Sequence, residues 1–69
     1  MKYVFHERFS ELINQSDLTY EEIAKKLGLK SKGTISKYAS GQIKNIGPVM
    51  IDKIAALFDV SPIWLLGYV

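Results

Sequence analysis

The sequence predicts an all-α fold of five short helices, and three observations predict it. Apolar residues recur at intervals of three and four, the spacing of one helix face, and no alternating run suits a strand. Helix-start signals at Thr19, Ser31, Pro48 and Pro62 are interleaved with glycine stop signals at Gly28, Gly41 and Gly67. The 69 residues hold no cysteine and one histidine, His6, so neither a disulfide framework nor a thiolate or multi-histidine zinc site reinforces the fold. At this length an apolar core must stabilise a single domain, residues 1–69, by itself.

Each element has a local cause. Phe5, Phe9, Leu12 and Ile13 line one face of a first helix over residues 3–15, and Asn14-Gln15-Ser16-Asp17 breaks the pattern. Thr19-Tyr20-Glu21-Glu22 fits a capping box, so the second helix starts at Tyr20; it buries Ile23, Ala24 and Leu27 and ends at Gly28. Leu29-Lys30-Ser31 is a tight connection, with Ser31 as N-cap of a third helix that runs to Ala39 or Ser40 and stops at Gly41. Ile35, Tyr38 and Ala39 are expected to face inward on that helix, with Gly33, Ser36, Lys37 and Ser40 outward. Gln42 to Ile46 form a loop, and Gly47-Pro48 opens a fourth helix that buries Ile51, Ile54, Ala55 and Phe58. Ser61-Pro62 opens a fifth, Ile63-Trp64-Leu65-Leu66, closed by Gly67 and expected to cap the core against the first and fourth helices.

The net charge of +2 conceals an uneven distribution. Between Ile23 and Ile51 every charged residue is a lysine (Lys25, Lys26, Lys30, Lys32, Lys37 and Lys44), whereas all seven acids lie elsewhere, with Lys2, Arg8 and Lys53. That polarity suits a polyanionic partner. The first residues are charged where a signal peptide needs an apolar stretch, and no run of 18 apolar residues occurs, so the expected location is cytoplasmic, with no membrane partner. His6 has neither a cysteine nor an identifiable serine or carboxylate partner for nucleophilic chemistry, so it reads as a surface residue, and no enzyme, cofactor or metal is expected.

Two short helices joined by a tight turn, with a small residue in the first and glycine at its end, form the pattern of a helix-turn-helix between Thr19 and Gly41. Ala24 lets the two helices cross closely, Gly28 supplies the positive φ of the turn, and Ile35 plugs the crossing. The outward stripe of the third helix carries no bulky group and no acid, so its backbone could enter a major groove about 12 Å wide. Lysine donates to guanine O6 or N7, and serine both donates and accepts, so the stripe suits base reading. Phosphate contacts would come from Lys30, Gln42, Lys44 and the exposed N–H groups that open the second and third helices.

The residues Thr19-Tyr20-Glu21-Glu22-Ile23-Ala24-Lys25-Lys26-Leu27-Gly28, Thr34-Ile35-Ser36-Lys37-Tyr38 with Gly41, and Val60-Ser61-Pro62-Ile63-Trp64-Leu65-Leu66-Gly67-Tyr68 resemble the lambda-repressor and Cro kind of helix-turn-helix domain, over almost the whole chain. The closing motif is common in phage repressors. The resemblance implies a compact five-helix fold, base contacts at Lys32, Gly33, Ser36 and Lys37, and phosphate contacts at Thr19, Tyr20, Ser31, Ser40 and Asn45 beside Lys30, Gln42 and Lys44. Three features depart from it. Seven positions separate Gly28 from Ile35 where six are usual; the extra residue is assigned to Lys30, and Lys30, Ser31 or Lys32 then opens the third helix. Tyr20 stands where the family often has a glutamine that buttresses the recognition helix. The third helix has no arginine or glutamine, so specificity leans on DNA shape or on Lys32.

The resulting expectation is sequence-specific repression by occupancy of a double-stranded operator, as a dimer over half-sites roughly 10 bp apart. The homodimer would form through Ile63, Trp64 and Leu66 or through a further C-terminal region. Competing readings are a DNA-binding antitoxin, which the closing motif disfavours, and a helical protein-interaction module, whose mark would be failure to bind DNA at low salt.

Overall fold

The computed structural model describes residues 4–69, and helix boundaries follow local capping chemistry closely. Five helices succeed one another: α1 Phe5–Gln15, α2 Tyr20–Lys26, α3 Lys32–Ser40, α4 Pro48–Phe58 and α5 Pro62–Leu66. Among the described residues there is no strand. The all-α architecture of five helices expected from the sequence is therefore the one observed. The expected start of the first helix, at residue 3, lies outside the described residues.

The core draws on every helix. Phe5, Phe9 and Ile13 of α1 meet Ile23, Ala24 and Leu27 around α2, Ile35 of α3, Ile51, Ile54 and Ala55 of α4, and Leu65 of α5. The Phe5 and Phe9 rings stack with centroids 5.3 Å apart, and Phe58 meets Phe9 edge-on at 6.2 Å. Phe58 and Leu12 are half-buried and pack against the margin of this cluster, less enclosed than their helical spacing suggests. α1 packs on α3 and α5, α2 on α3, and α4 on α5.

Helix ends repeat one device. After α2, Gly28 N–H donates to the Lys25 carbonyl at 3.1 Å and Leu29 N–H to the Ala24 carbonyl at 2.8 Å, the paired bonds of a Schellman motif. The same pairing ends α3 at Gly41 and Gln42, α4 at Asp59 and Val60, and α5 at Gly67 and Tyr68. Each motif needs a left-handed residue. Gly28 meets that need at φ +77°, while at the end of α4 a non-glycine, Asp59, occupies it at φ 55°. Gly67 is doubly constrained: its φ is +91°, and a Cβ there would run into Val4.

α5 is tied to α1 by Arg8. Its guanidinium carbon lies 4.7 Å from the Trp64 ring centroid, and Nη1 donates both to the Trp64 carbonyl and, at 2.7 Å, to the Val69 carbonyl. The guanidinium thus adds a second donor to the Trp64 carbonyl, which already accepts from Gly67 N–H at 3.0 Å, while its carbon lies over the Trp64 ring. Half-buried Trp64 and Leu66 pack on the core as expected, while Ile63 stays 54% exposed. Among the described residues no helix is long and apolar enough to cross a membrane.

Candidate nucleic-acid interface

The site is built where the starts of α2 and α3 converge. The capping box at α2 forms in full: Thr19 Oγ1 accepts from Glu22 N–H at 3.1 Å, and Glu22 Oε1 accepts from Thr19 N–H at 3.0 Å. The Thr19 N–H, and after it the Thr19 side chain, hold the Glu22 carboxyl below the usual glutamate range; the nearby Lys26 and Lys25 charges lower it further. The cap fixes where the first turn of α2 points, and with it Tyr20 and Glu21.

The turn delivers α3 to the same place. Leu29 is half-buried against the core, so Lys30 and Ser31 are left exposed, and Ser31 Oγ accepts from Gly33 N–H at 3.1 Å. That bond makes Ser31 the N-cap and Lys32 the first helical residue, which selects among the three openings that the longer turn allowed. Ile35 is fully buried between α2 and the core, with Tyr38 and Ala39 half-buried beside it. With that side pinned, Lys32, Ser36, Lys37 and Ser40 are exposed and Gly33 is half-buried.

Thr19, Tyr20, Glu21, Lys32, Gly33 and Ser36 line one open groove of about 530 Å³. Three of the four residues expected at bases, Lys32, Gly33 and Ser36, thus share a surface with two expected at phosphates, Thr19 and Tyr20. Lys37 is exposed but does not line the groove. Lys30, Gln42, Lys44 and Asn45 are exposed on the loops at either end of α3. Ser40 Oγ donates to the Lys37 carbonyl at 3.3 Å, so its hydroxyl hydrogen is engaged within the helix. Ser31 differs: its oxygen accepts in the cap, which leaves the hydroxyl hydrogen to donate outward.

Two residues depart from the sequence reading. Glu21, which lies outside the acid-free stretch that begins at Ile23, lines the groove; its signal in the sequence is adjacency to Tyr20 at the start of the second helix. His6, expected on the surface, is half-buried: its ring lies 3.2 Å from where a Cβ on Gly41 would sit, at the end of α3. The crossing of α1 over α3 puts it there, and sequence spacing within α1 does not reveal such a crossing. Among the described residues no group of three histidine, cysteine or acidic side chains could hold a metal ion.

A family model described as helix-turn-helix matches residues 10–65, which spans the second half of α1 through α5. Among curated proteins and among solved structures, none matches the chain.

Proposed function

The chain belongs to the lambda-repressor and Cro-like helix-turn-helix family of DNA-binding domains, and from that premise we propose that it represses transcription by occupying a specific operator. In this reading α3 enters the major groove with Lys32, Gly33, Ser36 and Lys37 at base edges. Thr19, Tyr20, Lys30, Ser31, Ser40, Gln42, Lys44 and Asn45 hold the flanking phosphates, with the Ser40 hydroxyl hydrogen turning from the Lys37 carbonyl, 3.3 Å away, to donate to the phosphate. One observation carries the reading: the starts of α2 and α3 form a single groove in which candidate base readers and candidate phosphate donors lie together. The exposure of Ser36 and Lys37, opposite fully buried Ile35, supports it.

Exposed Ile63 and Tyr68 at α5 support a homodimer over two half-sites about one DNA turn apart. Repression then needs no chemistry, since a bound dimer excludes polymerase from the promoter.

The test compares variants on a site selected from random duplexes and on unrelated DNA. Ser36→Ala and Lys37→Ala should weaken binding to the selected site more than to unrelated DNA, by about 1–3 kcal/mol for a base contact, whereas Lys44→Ala should weaken both alike. Equal losses for all three variants would remove α3 as the reader.

A further inference from the structure

Two carboxylates stand side by side at the start of α2, and they are used differently. Glu22 is folded back into the capping box, where its Oε1 accepts from Thr19 N–H. Glu21 is exposed and lines the groove with Lys32, Gly33 and Ser36. Gly33 contributes no side chain there, so a base edge approaching the first turn of α3 meets the longer Glu21 and Lys32 side chains.

An ionised carboxylate only accepts hydrogen bonds, and a lysine ammonium only donates them. In the major groove guanine offers the acceptors O6 and N7, and thymine offers the acceptor O4 and a methyl group. Only cytosine N4 and adenine N6 donate there. A carboxylate held in this groove is therefore repelled by phosphates and by keto-bearing bases, and it is satisfied by an exocyclic amine. Lys32 next to it has the opposite requirement, so the groove carries an acceptor and a donor in fixed order.

We propose that Glu21 is a specificity-determining residue of this domain, accepting a hydrogen bond from the exocyclic amine of cytosine or adenine and rejecting guanine and thymine on the strand it faces. The assignment rests on α3 being the recognition helix. It turns the one acid in an otherwise lysine-bearing groove into a reader that also limits binding to unrelated DNA.

The experiment selects bound duplexes from a random-sequence pool with the wild-type domain, Glu21→Gln and Lys32→Ala, then measures affinities for the best site and for every single-base change in it. Glutamine keeps length and helix propensity and leaves Glu22 in its cap, and circular dichroism verifies that each variant is folded. Because an amide donates as well as accepts, Glu21→Gln should lose about 10- to 100-fold of discrimination at one amine-preferring position and keep the others. Lys32→Ala should relax a neighbouring position instead. Tighter binding of Glu21→Gln to all sequences with an unchanged preferred site would reduce Glu21 to a general repulsive charge and overturn the proposal, as would no change at all. A wild-type domain without preference at any position would overturn the recognition-helix reading itself, a separate outcome.

Discussion

Ser10 Oγ donates a hydrogen bond of 2.8 Å to the carbonyl oxygen of Ala39, joining the middle of α1 to the last turn of the proposed recognition helix. Ala39 is among the final carbonyls of α3, which have no donor within the helix. One turn earlier on α1, His6 packs on Gly41, so two residues on one face of α1 grip the far end of α3. Ile35 fixes the middle of α3 and α1 fixes its end.

Ser10→Ala should therefore do more than destabilise. It removes the donor to a part-buried carbonyl, at a cost of about 1 kcal/mol that urea unfolding would register. If the bond also sets the angle of α3, affinity for the selected site should fall further than affinity for unrelated DNA. A parallel decrease in both would confine Ser10 to stability.

The two glycines at φ +77° and +91° should tolerate alanine unequally. Gly28→Ala meets open space and costs only the left-handed strain, about 1–2 kcal/mol. Gly67→Ala carries that strain and displaces Val4 as well, so its unfolding midpoint should be lower. Adding Val4→Ala should recover part of the difference; no recovery would locate the cost elsewhere.

Binding should be strongly salt-dependent. With four to six phosphates neutralised by the lysines and helix starts around α3, log affinity should fall against log salt with a slope of about −4 to −5. Fluorescence anisotropy across a salt series measures this directly, and a slope near zero would refute the phosphate assignments.

Acid should loosen the start of α2. The Glu22 carboxyl is held below its ordinary range chiefly by Thr19 N–H, then by the Thr19 side chain. A depressed carboxylate contributes stability that is complete above its unfolded value and is lost as pH falls through its folded one. Thermal unfolding of the wild type and of Glu22→Ala should therefore differ at neutral pH and converge in acid, below the usual glutamate range. A gap that persists undiminished in acid would mean that the contribution is not electrostatic.

Much of this architecture was legible because its boundaries are set by neighbours in sequence. Thr19 with Glu22, Ser31, Pro48 and Pro62 mark helix starts, and Gly28, Gly41 and Gly67 mark stops, through bonds spanning at most five residues. The end of α4 was less legible, since Asp59 reaches a left-handed conformation that aspartate only tolerates. Of the six residues lining the groove, helical spacing marks Gly33 and Ser36 as outward, and the family resemblance implies Thr19, Tyr20 and Lys32 as site residues. Glu21 is not legible from the charge pattern along the chain, because the groove joins residues from two helices. His6 is not legible for a related reason, the approach of α1 to the end of α3 being a tertiary relation.

The recurrence of the Schellman ending on α2, α3, α4 and α5 bears on how the chain reaches this structure. Stops that close within a few residues require no distant partner, so loop-closure entropy enters late, when preformed segments dock. Topologies dominated by such near-neighbour contacts cross to the native state in microseconds to milliseconds. A nascent α2–turn–α3 pair could then sample its final crossing before Phe5 and Leu65 arrive to seal it.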